Sequence, residues 1–240
     1  MDLREAGKNR RRRQILDAAR QLIEADGRDA LSMRRLAEVA QLSTRTLYNL
    51  YGAKEDILYA LTEESIREVE SILAKLAIGD PLDRSRALLT VSIELRCARA
   101  GLHKALIRGI ELGGGRSREA ELVGIAREQH EAVIAQAMDQ GLLLRTVSPQ
   151  LLAHQIVMNY GQTLRLWSRD VFDASQLKAQ ALHARALYLL AIAAPQARGR
   201  LERELESLEP ELQTLVRGID GLSGPLPLVV AARERKHGTV

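Results

Sequence analysis

Residues 32–58 read SMRRLAEVAQLSTRTLYNLYGAKEDIL and contain the pattern that decides the fold. Ser32 is a favourable N-cap for one short helix, and Ser43 is a favourable N-cap for a second short helix just after it. Ala37 is small where two such helices would cross closely. Three leucines would form the apolar wedge between the helices: Leu36, Leu42 and Leu47. This spacing predicts a helix-turn-helix over residues 32–51.

The rest of the chain has the helical period and lacks the alternation expected of strands. Apolar residues from Ile15 to Ile23 share one face, which predicts a helix over 10–26 that Gly27 caps. A long helix is predicted to begin near Lys54 and to end at residues 79–81. Capping and breaking residues predict six more helices, over 81–100, 103–112, 118–140, 149–168, 174–194 and 196–217, the last interrupted at Pro210.

We therefore expect an all-α protein with two helical parts. Residues 1–53 would form a three-helix domain that contains the helix-turn-helix. Residues 54–217 would form a larger helical domain, and the glycine- and proline-rich residues 218–240 a flexible tail.

Composition excludes several classes of protein. The 240 residues are 46% hydrophobic and 28% charged, as in ordinary soluble globular proteins. No apolar stretch approaches the roughly 18 residues that span a bilayer. Cys97 is the only cysteine, which excludes a disulfide within one chain and a cysteine-based zinc site. The segment from Met1 to Arg13 has no apolar signal core, so we expect a cytoplasmic protein.

The net charge of +4 is modest, but the basic residues are unevenly distributed. Lys8 and residues 10–13, all arginine, crowd together just before the first periodic segment. A basic arm at the edge of a domain is a common phosphate or minor-groove contact. A solvated start of a helix would give the same pattern, so the arm supports a nucleic-acid partner only together with other features.

The short helix that begins at Ser43 carries such features. Arg45 would lie in its first turn and Lys54 in the first turn of the next helix, where the helix dipole disfavours cations. A bound phosphate would relieve both, because helix N-termini offer free N–H groups to anions. Hydroxyl groups cluster at the same place: Ser43, Thr44, Thr46 and Tyr48. The alternative is a capped surface helix with ordinary charges, which the preceding helix and the basic arm make less favourable.

This part of the chain resembles the tetracycline-repressor (TetR) family. The resemblance lies in Leu36-Ala37, Ala40, Leu42-Ser43, Thr46-Leu47-Tyr48, Tyr51, Lys54-Glu55 and Ile57-Leu58, and it extends back to about Arg10. Beyond residue 80 only the layout of helices matches. The resemblance implies a sequence-specific DNA-binding transcriptional regulator, a repressor in the family's usual mode.

The resemblance also implies roles for individual residues. The helix from Ser43 would be the recognition helix, with Thr44, Arg45 and Asn49 at bases or nearby backbone. Phosphates would be held by Thr46, Tyr48 and Lys54. Arg34 matches a position that can reach a base or the backbone.

Two positions depart from the family pattern. Gln41 replaces a frequent turn glycine and would be strained if its φ is positive. Leu50 replaces a frequent His or Tyr, so a polar contact would be absent or replaced by apolar packing.

In the family the larger domain dimerises and binds a small effector, and we expect both here. Small residues on the helices from Pro149 and Ala174 permit close packing, which equally fits packing within one chain: Gly161, Ala181, Ala184 and Ala191. A two-fold dimer of double-stranded-DNA readers requires a palindromic operator. No membrane partner is expected.

The sequence gives the least information about the effector pocket. The polar and aromatic candidates on inner helix faces are Glu94, Cys97, His103, His130, Asn159 and Trp167. The scarcity of aromatic residues favours an aliphatic or acyl effector, whose identity stays unknown.

Other classes of function fit less well. The five histidines are scattered, and no zinc-binding helix pair, phosphate loop or cysteine signature is present. We therefore expect no enzyme activity, no catalytic residues, no metal and no cofactor. A ligand-independent DNA-organising protein with the same helix-turn-helix stays open as an alternative.

Overall fold

The computed structural model describes residues 3–27, 31–113 and 116–222, which are helical almost throughout and include no strand. The helices of these ranges are α1 (Leu3–Asp26), α2 (Met33–Val39), α3 (Thr44–Tyr51), α4 (Lys54–Leu76), α5 (Pro81–Ala98), α6 (Ala100–Gly113), α7 (Arg116–Asp139), α8 (Pro149–Ser168), α9 (Ala174–Leu190) and α10 (Pro195–Leu222). The prediction of an all-α fold is confirmed.

The first helix begins earlier than predicted. Lys8 and arginines 10–13 lie inside α1, which starts at Leu3, so they are not an arm that precedes the first helix. Arginine, lysine, glutamine and glutamate are good helix formers, and their density here carries the helix past its apolar face. Side chains of Lys8, Arg10, Arg11 and Arg13 are exposed.

The last helix is longer than predicted. α10 passes through Pro210 without interruption and continues to Leu222, so residues 218–222 are helix and not tail. Leu208 and Leu212 pack on the large apolar core on either side of the proline, and this packing outweighs the lost hydrogen bond. The remainder of the predicted tail, residues 223–240, lies outside the described residues.

One apolar cluster holds the N-terminal helices together. It contains side chains from α1, α2 and α3 and from the first half of α4. Leu102 and Leu106 of α6 are buried in the same cluster, at 3% and 2% exposure. The core of the helix-turn-helix unit is therefore completed by a helix that lies some fifty residues later in the chain.

A second, larger cluster joins α5 to α7, α8, α9 and α10. Arg185 of α9 lies within this part with a side chain only 1% exposed. It forms an ion pair of 2.9 Å with Glu204 of α10 and donates to the Ser85 hydroxyl (3.0 Å) and the Leu82 carbonyl (2.6 Å) of α5. One buried guanidinium thus links three helices, and its charge is compensated.

The turn between α2 and α3 adopts the conformation that glycine would favour. Gln41 has φ of 52°, and the Leu42 N–H donates to the Ala37 carbonyl at 3.0 Å. The strain expected for a residue other than glycine is therefore present. The Gln14 side chain donates to the Ala40 carbonyl at 2.6 Å and ties this turn to α1.

Replacing Gln41 by glycine should stabilise the protein by up to about 1 kcal/mol, because glycine adopts a positive φ without a Cβ clash. The measurement is urea unfolding followed by circular dichroism. The neighbouring Ala40 has φ of −73°, so Ala40→Gly is the control and should lower stability by about 1 kcal/mol. Equal losses from both changes would show that Gln41 is not strained.

Replacing Arg185 by methionine should lower the free energy of unfolding by about 3 kcal/mol or more, since Glu204 would lose its buried partner. Arg86 contacts the same carboxylate at 3.2 Å with a side chain 51% exposed. Arg86→Met is the matched control and should cost less than about 1 kcal/mol. Similar losses for the two variants would contradict a special role for the buried arginine.

Candidate nucleic-acid interface

The sequence of α3 buries one side of the helix and exposes the other. Ser43 caps the helix by accepting a hydrogen bond from the Thr46 N–H at 3.1 Å, as predicted from its position. Leu47 is fully buried in the N-terminal cluster. The opposite face is open to solvent, with Tyr48 54% exposed. Three other predicted contact residues are exposed there: Thr44, Arg45 and Asn49.

Two further predicted contact residues lie on neighbouring helices. The side chain of Arg34 on α2 is 89% exposed and contacts Glu38 of the same helix at 3.3 Å. Lys54 is the exposed first residue of α4. At this helix start the Asp56 carboxylate accepts from the Ala53 N–H at 3.1 Å, which caps α4 without using Lys54.

The hydroxyl groups of Ser43 and Thr46 are partly committed to the helix itself. Their oxygens lie 2.8 Å apart, and Ser43 also serves as the cap. Thr46 is half-buried, whereas Thr44 is exposed. The hydroxyls of Thr44 and Tyr48 are therefore the more accessible donors on this surface.

Two basic residues of this surface, Arg45 and Lys54, form no ion pair with another residue that the structure describes. α3 contains no acidic residue, and no ion pair within the described residues involves Arg45 or Lys54. The exposed basic residues of α1 add to the same unit. Cations at two helix N-termini and without acidic partners favour an anionic partner such as a phosphate backbone.

An ion pair and a half-buried tyrosine fix α1 and α3 against α4. The Arg20 guanidinium of α1 donates to Glu64 of α4 and to Asp17 at 2.6 Å. Burial and the nearby Glu64 raise the pKa of Tyr51 to about 12, so this phenol stays protonated. Leu50 is half-buried and packs on the N-terminal cluster, in agreement with the predicted apolar packing at that position.

A second candidate site is a cavity of about 190 Å³ between α4, α5, α6, α7 and α8. Its walls are mainly aliphatic, with Ile66 and Val69 from α4 and Ile107 from α6. The polar residues that line it are Thr62, Ser92, Arg96, Glu119, Gln129, His130, Tyr160 and Arg165. A mainly apolar cavity with a few polar groups is typical of a small-molecule site.

The six predicted effector residues do not converge on this cavity. Only His130 lines it. Glu94 is exposed beside Lys178 at 3.4 Å, and Trp167 is buried beneath Lys104, whose ammonium lies 5.1 Å from the ring centre. His103 borders a separate space next to α1 and α4. Neither Cys97 nor Asn159 is among the residues that line the cavity.

Burial keeps two of these histidines neutral at neutral pH. It lowers the pKa of His130 to about 4 and that of His103 to about 3, and nearby arginines lower both further. The Nδ1 atom of His130 is buried and has no hydrogen-bond partner among the described residues.

Sequence reasoning missed Arg96 and Ser92, which line the cavity from α5. A signal was present, because Leu88, Ser92 and Arg96 recur every four residues and share one face of the helix. An arginine that continues an apolar helix face marks a buried or cavity-lining charge.

The cavity contacts the helices that also support the helix-turn-helix unit. α4 lines the cavity with its middle turns and carries Lys54 at its start. α6 lines the cavity through Ile107 and fills the N-terminal cluster through Leu102 and Leu106. Asp56 at the start of α4 also lies 3.5 Å from Arg118 of α7.

Two other kinds of site were sought in the described ranges. No group of three or more His, Cys, Asp or Glu side chains in these ranges is placed to hold a metal ion. None of the helices described is both long and apolar enough to cross a membrane.

Comparison with known proteins places the N-terminal part in a family. A family profile for bacterial regulatory proteins of the tetR family matches residues 15–61. The transcriptional repressor KstR of Rhodococcus jostii is 29% identical over 89 residues, which cover 37% of this chain and 42% of KstR. The matched segment therefore spans less than half of that relative.

Solved structures resemble the whole fold. FadR of Thermus thermophilus, solved with lauroyl-CoA, has a TM-score of 0.63 at 19% identity and covers 76% of this chain and 95% of its own. SmeT of Stenotrophomonas maltophilia has a TM-score of 0.57 at 19% identity, with coverage of 78% and 92%. The matched profile and this shared helical architecture agree: residues 15–61 are similar to the tetR family of bacterial regulatory proteins, and the chain shares the fold of these solved structures.

Proposed function

We propose that the protein is a sequence-specific DNA-binding transcriptional regulator that acts as a repressor and leaves its operator when a small effector binds. The exposed polar and basic face of α3 is the observation that carries this proposal. KstR and SmeT are both repressors by name, and FadR was solved with an acyl-CoA. A regulator of chromosomal genes in a bacterium would act in the cytoplasm.

On this proposal α3 enters the major groove as the recognition helix. Thr44, Arg45 and Asn49 would contact bases, because their side chains are exposed on the face opposite Leu47. A second set of residues would contact the phosphate backbone of the DNA: Arg34, Ser43, Thr46, Tyr48 and Lys54. Ser43 and Thr46 would donate only in addition to their contact with each other.

A homodimer is the second part of the proposal. Ala181 and Ala184 are buried within the chain itself, so two of the small residues predicted for a dimer interface serve intrachain packing. The helices α8 and α9 instead expose large apolar side chains: Leu151, Met158, Leu166 and Leu187. Exposed apolar stripes on two adjacent helices favour a two-fold contact between copies. Such a dimer would place two recognition helices roughly 34–36 Å apart on a near-palindromic operator.

Coupling between effector and DNA follows from the position of the cavity. A ligand between α4, α6 and α8 would favour one arrangement of these helices over another. Because α4 and α6 complete the core under α3, a shift in either changes the separation of the two recognition helices. A coupling of about 1–3 kcal/mol would weaken operator binding by about 5- to 150-fold.

The cavity is also the observation that separates this proposal from a ligand-independent DNA-organising protein. A ligand-independent protein of that kind needs no internal cavity next to its helix-turn-helix. We further propose that the protein is not an enzyme, since no hydrogen bond within the described residues joins a hydroxyl of the cavity lining to His130 or to a carboxylate.

Selection of bound sequences from random double-stranded DNA tests the proposed function. We expect recovery of a near-palindrome with half-sites about one helical turn apart. Recovery of sequences with no common element would refute specific recognition. A single half-site without symmetry would refute the dimer.

Arg45→Ala should weaken binding to the selected sequence by about 1–3 kcal/mol and relax the base preference at one position of each half-site. Affinity for random DNA should change less. The measurement is fluorescence anisotropy with the selected duplex and a scrambled duplex at one salt concentration. Equal losses on both duplexes would make Arg45 a phosphate contact.

Tyr48→Phe tests a contact with the DNA backbone, because the substitution removes only the exposed hydroxyl. We expect a loss of about 1 kcal/mol on both duplexes and an unchanged base preference. Unchanged affinity for both duplexes would remove Tyr48 from the interface.

A further inference from the structure

We infer that the cavity binds a small ligand with an aliphatic chain and a carboxylate, and that the Arg96 guanidinium holds the carboxylate. The inference deepens the proposed effector function and rests on the cavity being the effector site. Ligand binding itself needs no DNA, so the two proposals can fail separately.

The charge of Arg96 is buried and has no acidic partner. Its exposure is 7%, and no ion pair within the described residues includes it. The more deeply buried Arg185 shows the usual solution, a carboxylate at 2.9 Å. A buried cation without a counter-ion is costly, and a bound anion would remove that cost.

The hydrogen bonds of Arg96 leave one edge of the guanidinium without an acidic partner. Its Nη1 donates to the Ser92 carbonyl at 3.0 Å and to the Ser92 hydroxyl. The Tyr160 hydroxyl is a further neighbour of the guanidinium, and neither Nε nor Nη2 is paired with a carboxylate among the described residues. These two groups form the edge that a carboxylate accepts from in a side-on, bidentate pair.

The neighbours of Arg96 hold it in place without neutralising it. Its guanidinium carbon lies 5.9 Å from the centre of the Tyr160 ring, and the Tyr160 and Ser92 hydroxyl oxygens are 3.1 Å apart. The last turn of α5 favours a cation, but its partial charge does not replace a full counter-ion. Arg99 and the neutral His103 supply no negative charge near this group.

The carboxylates nearest the cavity already have cationic partners. Glu119 lines the cavity and contacts Arg165 at 2.5 Å. Glu94, on the same helix as Arg96, is exposed and contacts Lys178. No carboxylate among the described residues is therefore paired with Arg96, and an anion from outside is the group that fits.

The walls and the size of the cavity define the rest of the ligand. Its remaining lining includes Ile66, Val69, Leu122, Val123, Val157 and Leu164. The volume of about 190 Å³ is below the roughly 300–1,000 Å³ of drug-sized sites. One free guanidinium among aliphatic side chains fits a monoanion on a short chain, and the absence of a second unpaired cation in the lining disfavours a phosphate dianion.

Calorimetric titration without DNA tests the inference. The probes are the straight-chain acids hexanoate, octanoate and decanoate, each beside its primary amide at neutral pH. We expect at least one acid to bind about tenfold or more tightly than its amide, because only the acid forms a charge-assisted pair. Equal binding of acid and amide along the whole series, or no binding of any acid, would overturn the inference.

Variants of Arg96 test whether this residue causes the preference for the acid over the amide. Arg96→Met should bring acid and amide to within about threefold of each other, whereas Arg96→Lys should keep part of the preference. Arg99→Met is the control, since it removes an exposed positive charge from the same end of α5 and should leave the preference unchanged. A preference that survives in Arg96→Met would place the carboxylate elsewhere. If that variant does not fold, the comparison with Arg96→Lys decides.

A coenzyme A thioester is the competing source of an acyl chain. Octanoyl-CoA has a neutral carbonyl where the acid has its charge, so its binding should not depend on Arg96. Tighter binding of octanoyl-CoA than of octanoate, unchanged in Arg96→Lys and Arg96→Met, would overturn the assignment. Failure of the random-DNA selection would remove the regulatory role and leave the acid preference intact.

Discussion

Leu102 and Leu106 of α6 are buried in the cluster formed with α1 and α4, and this packing joins the two parts of the protein. Without it, the helix-turn-helix unit would have an incomplete core. The same helix reaches the cavity through Ile107. A displacement of α6 by one side-chain width cannot be absorbed locally, because protein cores are close-packed. The proposed DNA-binding surface and the cavity are therefore linked by an apolar contact.

The two buried arginines, Arg185 and Arg96, have different roles in the structure. Arg185 is compensated by Glu204 and bonded to α5, so its charge contributes to the architecture. Arg96 is held by Ser92 and lies over Tyr160, and its charge is left open towards the cavity. An uncompensated charge in a core reduces stability and persists where a ligand makes use of it. The stability cost and the proposed ligand specificity of Arg96 have one physical origin.

The proposed DNA-binding surface is built from local features. Ser43 caps α3, Gln41 takes the left-handed conformation that reverses the chain, and Leu47 anchors the helix. These features involve neighbours within a few residues, so the outward face of α3 follows from the sequence once the helix is recognised. For the same reason the predicted contact residues Thr44, Arg45, Tyr48 and Asn49 are found together on one exposed surface.

The sequence by itself determined the helices, the caps at Ser32 and Ser43, and the placement of the polar face of α3, because each depends on interactions within one or two turns. It did not predict that α1 would extend through the basic residues or that α10 would pass Pro210, because long-range packing and propensity compete there. The sequence did not predict the residues that line the cavity. Five of the six residues singled out for it lie elsewhere, and Arg96 was overlooked, since the cavity is lined by five helices distant in the chain. The packing of those five helices decides which side chains face the cavity, and this packing is visible only in the tertiary structure.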